Sequence, residues 1–155
     1  MNSEFKKIED FGYDAFFESN RKKLKLDNFS VARVIAEYRG AYKVKNSTNE
    51  YLAKVTGKQM FNASSREDYP IVGDWVAITE LNTEQAMIYG ILPRKTMIKR
   101  KYSDKDEAQI IATNIDIALI IESVDRDYNL NRFERYFAIA KDGGVKPVII
   151  LNKID

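Results

Sequence analysis

Residues 117–155 read IALIIESVDRDYNLNRFERYFAIAKDGGVKPVIILNKID, and this stretch decides the fold class of the C-terminal third. The run "IALII" at 117–121 is apolar and rich in β-branched residues, as is "VIIL" at 148–151. Such continuous runs suit strands buried on both faces rather than strands with one face in water. Between them, Leu130, Phe133, Phe137 and Ala140 recur at helical spacing. Asn129 or Asn131 can cap the start of that helix, and Gly143 with Gly144 supplies its stop. Strand, helix and strand form one β-α-β unit, with the two strands expected to be parallel and the crossover right-handed. One helix covers one face of such a pair. The sequence therefore predicts an open apolar face, and further strands and helices of a doubly wound domain beyond Asp155.

The second strand ends in N-K-x-D, formed by Asn152, Lys153 and Asp155. Ligands of α/β folds sit beyond the carboxyl ends of parallel strands, which is where this motif falls. An aspartate there accepts hydrogen bonds from guanine N1–H and from its 2-amino group. Adenine offers neither donor, so the carboxylate would face it unpaired, a loss of about 1–3 kcal/mol or more. The methylene stem of Lys153 can pack on the base plane, and the Asn152 amide can brace the loop. A plain polar turn is the competing reading, and the position after "VIIL" favours guanine recognition.

No G-x-x-x-x-G-K-[ST] motif occurs: "VTGKQM" has Lys58 after Gly57, but Leu52 stands where the first glycine belongs and Gln59 replaces Ser/Thr. D-x-x-G is also missing. The phosphate-binding elements that normally precede N-K-x-D must then follow Asp155, in a permuted order. Glu122, Asp125 and Asp127 in "ESVDRD" read as a strand end and helix N-terminus, where acids suit the helix dipole, rather than as metal or acid–base carboxylates.

Upstream, residues 30–102 read as β. "SVARVIAEYRGAYKVK" alternates around a turn at Gly40, and "EYLAKVTG", "WVAITEL" and "AMIYGILPR" follow, separated by turn-forming segments. Five short strands in about 70 residues suit a small closed barrel, OB-like or SH3-like. Residues 1–29 read as a partly helical extension interrupted by Gly12, whose aromatics Phe11, Tyr13, Phe16 and Phe17 pack on the barrel. Residues 103–155 open with a charged connector, "SDKDEAQIIATNID", into the β-α-β unit.

The chain has no cysteine and no histidine, which excludes disulfides, Cys/His zinc sites, imidazole bases and thiol nucleophiles within these residues. The N-terminus lacks a signal-peptide core and no run is long enough to span a membrane, so the reading is cytoplasmic. The three N-x-S/T sequons, at Asn28, Asn46 and Asn62, are then chance. A formal charge of +2 does not argue for nucleic acid by itself. Local clusters are the candidates, Arg39, Lys43 and Lys45 at a hairpin and Arg94, Lys95, Lys99, Arg100 and Lys101 at the expected barrel exit, with a plain solvated face as the competing reading. Beside Tyr38, Tyr42 and Trp75 they can meet phosphates and stack bases, although Trp75 after "VGD" also reads as core.

Several segments together are highly specific: "DFGYDAFFES", "ARVIAEYRGAYKV", "YPIVGDWVAI", "ILPRKTMIKR", and "NLNRFERY" before "NKID". Over most of its length the chain resembles the ribosome-small-subunit-dependent, circularly permuted GTPases of the RsgA type, in their N-terminal part ending at N-K-x-D. The resemblance implies an OB-fold followed by the first β-α-β unit of a permuted P-loop GTPase domain. It further implies GTP hydrolysis in late maturation of the small (30S) ribosomal subunit, contact with its rRNA, and a monomer. GTP/GDP and Mg2+ are implied for the full-length protein, and Zn2+ for a C-terminal domain outside these residues. Lacking phosphate loop and switches, these residues alone are expected not to hydrolyse GTP. The competing reading is a non-enzymatic RNA-binding OB module. A translation-factor relative is disfavoured, because there N-K-x-D follows the phosphate loop.

Overall fold

A computed structural model of the chain describes residues 7–57, 63–101, 108–124 and 128–153. Five of its strands, β1 (Ser30–Tyr38), β2 (Ala41–Lys45), β3 (Glu50–Val55), β4 (Trp75–Glu80) and β5 (Gln85–Ile91), close into a barrel. Their order around it is β1-β2-β3-β5-β4, with β4 returning to β1. β3 and β5 run parallel and every other pair is antiparallel. This is the five-stranded OB-like barrel expected from the alternation. Every second residue fills the interior: Ala32 and Val34, Tyr42 and Val44, Tyr51 and Ala53, Val76 and Ile78, Ala86 and Ile88.

β4 is buried on both faces. Opposite Val76 and Ile78, Trp75 joins a second cluster with Tyr13, Phe17, Val31 and Leu92. The helix α1 (Ala15–Lys23) carries Phe17 into that cluster, and its cap is Asp14, which accepts the Phe16 N–H at 3.0 Å. Gly12, at φ +90°, ends a short 3-10 turn and redirects the chain into α1. Trp75 lies edge-on to Tyr13, with ring centroids 5.0 Å apart. Phe11, Tyr13 and Phe17 thus clad the barrel as their sequence suggests, whereas Phe16 is exposed and packs edge-on against Phe17, and the basic run at 21–23 forms the last turn of α1.

The chain divides into two compact units, Met1–Arg94 and Lys95–Asp155. In the second, β6 (Met97–Lys101) and β7 (Ala108–Thr113) form an antiparallel hairpin. That hairpin stands where the sequence predicts the barrel exit and a charged connector, so Lys95, Lys99, Arg100 and Lys101 belong to the second unit rather than to the barrel. Its base is fastened by polar groups that no hydrophobic pattern reveals. Asn114 N–H donates to the Thr96 carbonyl at 2.8 Å, and Thr96 Oγ1 accepts the Ile115 N–H at 2.8 Å.

β8 (Ile117–Ser123) and β9 (Lys146–Asn152) run parallel, in register from Ile117 opposite Lys146 to Ser123 opposite Asn152. Helix α2 (Leu130–Asp142) connects them and is capped by Asn129, whose side chain accepts the Arg132 N–H at 3.1 Å. Ile120 and Glu122 are buried, whereas Leu119 and Ile121, facing the other way, are 59% and 61% exposed. The open apolar face expected of a strand pair with one helix is present. The hairpin docks on the end of α2 through Met97 N–H to the Gly143 carbonyl, 3.0 Å. A Cβ at Gly143 would sit 2.1 Å from the Met97 carbonyl oxygen, so only glycine permits this approach.

Candidate functional site

The N-K-x-D segment leaves the carboxyl end of β9. Asn152 closes the ladder with Ser123, and its carbonyl accepts one further bond from the Val124 N–H at 3.0 Å. The Asn152 side-chain oxygen accepts the Lys153 N–H at 3.0 Å. Lys153 turns the chain with φ +55°, and both residues are exposed to an incoming ligand. Asp155 lies outside the described residues.

Beneath this turn is a feature that sequence reading treats only as a strand end. Glu122 is 3% exposed. Its carboxylate accepts the Asn129 N–H at 3.2 Å and a charge-assisted bond from the Arg132 guanidinium. Those bonds, Arg132 foremost, hold the Glu122 carboxyl below its ordinary range despite burial. The spacing of an acid ten residues before an arginine carries no recognisable signal, because it depends on where the turn after β8 sends the helix. Asp125 and Asp127 lie outside the described residues.

The basic candidates divide by what already engages them. Arg39 is exposed at the β1–β2 turn, where Gly40 adopts φ +78°, and Tyr38 beside it is 53% exposed. Lys43 and Lys45 both reach across to Glu50 on β3, at 2.6 and 2.8 Å. Pinched between two ammonium groups, the Glu50 carboxyl is pulled down to about 2. Tyr42 and Trp75 are buried in the two core clusters and cannot stack a base, which leaves Tyr38 as the available ring of the three.

Arg94 is a strut. Its Nε and Nη2 each lie 2.8 Å from an Asp74 carboxylate oxygen, and it also donates to the carbonyls of Glu67 and Tyr69 at 3.0 and 3.1 Å. Asp74 is fully buried and also accepts the Ile71 N–H at 2.9 Å. The loop "YPIVGD" is thereby clamped to the barrel, and Arg94 has no fork left for phosphate.

Lys95, Lys99 and Arg100 line a groove of about 1160 Å³ between the β6–β7 hairpin and α2. The opposite wall contributes Arg135 and Tyr136, which the sequence does not single out. Arg135 lies over the Tyr136 ring at 5.3 Å, and Tyr136 is 46% exposed. The side chain of Lys101 lies outside the described residues. Cations flanking an exposed ring can meet phosphates while offering a stacking face.

The RsgA GTPase family model matches residues 91–155. The small ribosomal subunit biogenesis GTPase RsgA 2 of Lactiplantibacillus plantarum is 41% identical over 125 residues, covering 81% of this chain and 36% of that protein. The small ribosomal subunit biogenesis GTPase RsgA of Opitutus terrae is 35% identical over 159 residues, covering 96% and 43%. The chain thus spans about two fifths of the length of these relatives. Among solved structures, YloQ, described as a circularly permuted GTPase, superposes with a TM-score of 0.60 at 18% identity, over 82% of this chain and 42% of that one. YjeQ from Thermotoga maritima superposes with a TM-score of 0.61 at 20% identity, over 81% and 41%. At such identities these two structures establish a shared fold. Because sequence relatives along most of the chain agree with a family model over its second unit, and the fold is that of both neighbours, the chain belongs to the RsgA GTPase family.

Proposed function

We propose that this protein is a GTP hydrolase of small-ribosomal-subunit maturation, in which Asn152, Lys153 and Asp155 read guanine and the basic surfaces meet ribosomal RNA. The observation that carries the reading is an N-K-x-D segment leaving the carboxyl end of the second strand of a parallel β-α-β unit, in a chain of this family. The relatives' names supply the pathway: they are small ribosomal subunit biogenesis GTPases. A ribosomal partner is in keeping with Arg39, Lys43 and Lys45 on the barrel and with Lys95, Lys99, Lys101 and Arg100 on the hairpin. Arg135 and Tyr136 extend the second of these surfaces. Cytoplasmic location and a monomeric state complete the proposal; among the described residues no helix is long and apolar enough to cross a membrane.

The residues here supply base recognition rather than phosphate chemistry. The carboxylate of Asp155 accepts from guanine N1–H and the 2-amino group, Lys153 covers the base plane with its methylenes, and Asn152 braces the turn. Neither G-x-x-x-x-G-K-[ST] nor D-x-x-G occurs in the sequence, and the described residues hold no cluster of acids fit for a metal ion. Mg2+ and the γ-phosphate would therefore be held by other parts of the protein, and these residues by themselves are not expected to hydrolyse GTP. The Cys/His donors of a usual structural zinc site are absent from these residues.

The test is nucleotide selectivity. Fluorescent GDP should bind and fluorescent ADP should not. Asp155→Asn should lose GDP by at least about tenfold and gain xanthosine diphosphate, because an asparagine amide donates to the 2-oxo group that replaces the 2-amino group. Equal binding of ADP, or unchanged GDP binding by Asp155→Asn, would overturn the guanine reading. Salt-dependent RNA binding with no nucleotide binding at all would instead favour an RNA-binding module whose β-α-β unit is structural.

A further inference from the structure

We infer that the buried Glu122–Arg132 pair is a positioning device for the guanine-reading turn. The inference rests on the guanine reading proposed above and adds to it residues that N-K-x-D does not contain.

Stability alone is a weak reason to bury an ion pair, since desolvation of both charges offsets most of their attraction. Its place in the fold gives a stronger one. Glu122 is opposite Leu151 on β9, one step before the Ser123–Asn152 pair that ends the ladder. From there Val124 N–H adds a bond to the Asn152 carbonyl at 3.0 Å, so the end of β8 grips the first residue of N-K-x-D. The Glu122 carboxylate meanwhile accepts the Asn129 N–H at 3.2 Å and bonds to Arg132 in the first turn of α2. One buried carboxylate thus ties the end of β8 to the start of α2, and two residues beyond it the Val124 N–H holds the Asn152 carbonyl.

What is held there needs holding. Lys153 adopts φ +55°, a left-handed conformation that a non-glycine residue keeps only when its surroundings determine it. A base-reading carboxylate two residues further on inherits any error in that turn, and recognition sites depend on a locked supporting shell. The ionised state of Glu122, favoured by Arg132, keeps the network closed at neutral pH.

The experiment measures GDP and GTP affinity, RNA affinity and thermal midpoint in wild type, Glu122→Gln and the double variant Glu122→Met/Arg132→Met. Removing both charges together should recover most of the midpoint lost by the single change, because no orphaned ion remains. If the pair positions the turn, Glu122→Gln weakens GDP and GTP by the same factor, about tenfold, equivalent to one well-placed hydrogen bond. The double variant then stays weak for nucleotide although its midpoint recovers, and RNA affinity is unchanged in both. Recovery of nucleotide affinity together with the midpoint would overturn the inference, leaving the pair a purely structural element. Wild-type affinity in Glu122→Gln would overturn it too, as would loss of GTP with GDP retained, which would locate the effect at the phosphates. Asp155→Asn separates the two levels. If that change weakens GDP and the Glu122 variants do not, only the positioning role fails. If wild type shows no guanine preference, both fail.

Discussion

Replacing Arg94 by alanine should destabilise the barrel strongly and leave RNA affinity, measured on the folded variant, unchanged. Arg94 is 12% exposed at its side chain and Asp74 not at all, and the two meet through a two-pronged contact with both N···O distances at 2.8 Å. Truncation leaves the Asp74 carboxylate buried without its counter-charge and removes the Arg94 bonds to the Glu67 and Tyr69 carbonyls. Breaking a buried pair from one side costs about 3–5 kcal/mol. Against a domain stability of about 5–15 kcal/mol this is a large fraction. With a urea m-value of about 2 kcal/mol/M, a loss of about 4 kcal/mol lowers the unfolding midpoint by about 2 M. The assay is urea unfolding followed by the fluorescence of Trp75, which is fully buried and follows Asp74 directly in the chain. Asp74→Asn/Arg94→Met should recover most of the loss, because removing both charges leaves no orphaned ion. A midpoint shift below about 0.5 M in Arg94→Ala would refute the strut, as less than about 1 kcal/mol is what an exposed pair contributes. A fall in RNA affinity without a midpoint shift would return Arg94 to the RNA surface.

Two further perturbations test the surfaces. Glu50→Gln should raise RNA affinity and steepen its salt dependence, since Lys43 and Lys45 lose the carboxylate they share. Because the Glu50 carboxyl is depressed to about 2 from 4.5, its stabilising effect is present above the ordinary value and disappears as pH falls toward about 2. Urea midpoints between pH 5 and pH 3 should therefore drop more in wild type than in Glu50→Gln, and equal drops would refute the pairing. Gly143→Ala must displace the Met97 carbonyl, 2.1 Å from the added carbon, and overpacking of this kind costs about 1–3 kcal/mol. Amide exchange in Met97–Lys101 should accelerate while β1–β5 stay protected; unchanged protection of Met97 would show that the hairpin does not dock there.

The barrel was legible because alternation is a local signal. Val31 to Val34, Tyr42 with Val44 and Val76 with Ile78 carry it within a few residues each, and the turns between them are marked by Gly40, "NSTN" and "NTEQ". The β-α-β unit was legible for the opposite reason, since its strands carry apolar residues on both faces and read as continuous runs, even though Leu119 and Ile121 stand exposed on one of those faces. The hairpin of β6 and β7 was not. Its strands are short, and β6 mixes Ile98 with Lys99, Arg100 and Lys101 without regular alternation, Met97–Arg100 all lining an open groove. A basic edge strand and a basic loop look alike in sequence. The turn proposed to read guanine is marked in sequence by Asn152, Lys153 and Asp155, whereas Glu122 and Arg132 carry no such mark, because burial of a charge becomes visible only when the partner's element has been placed.

The same limit explains why the basic clusters could not be sorted from sequence, and the sorting has consequences for binding. Arg94 and Lys95 are neighbours in one run, yet Arg94 is committed to a carboxylate that water cannot reach. A planar fork matched by a buried acid and two carbonyls has nothing to gain from an incoming phosphate, which would leave the Asp74 carboxylate buried without its counter-charge. Glu50 differs in the property that matters: it is about as exposed as the lysines it bridges. Water can solvate Glu50 once Lys43 and Lys45 swing to a phosphate, so that exchange costs little while the exchange at Asp74 costs the full desolvation of an acid. An exposed pair is therefore a reservoir of cations that RNA can draw on, and a buried pair is part of the scaffold. By that criterion Lys43 and Lys45 stay candidates for the proposed RNA contact despite their short contacts, and Arg94 does not.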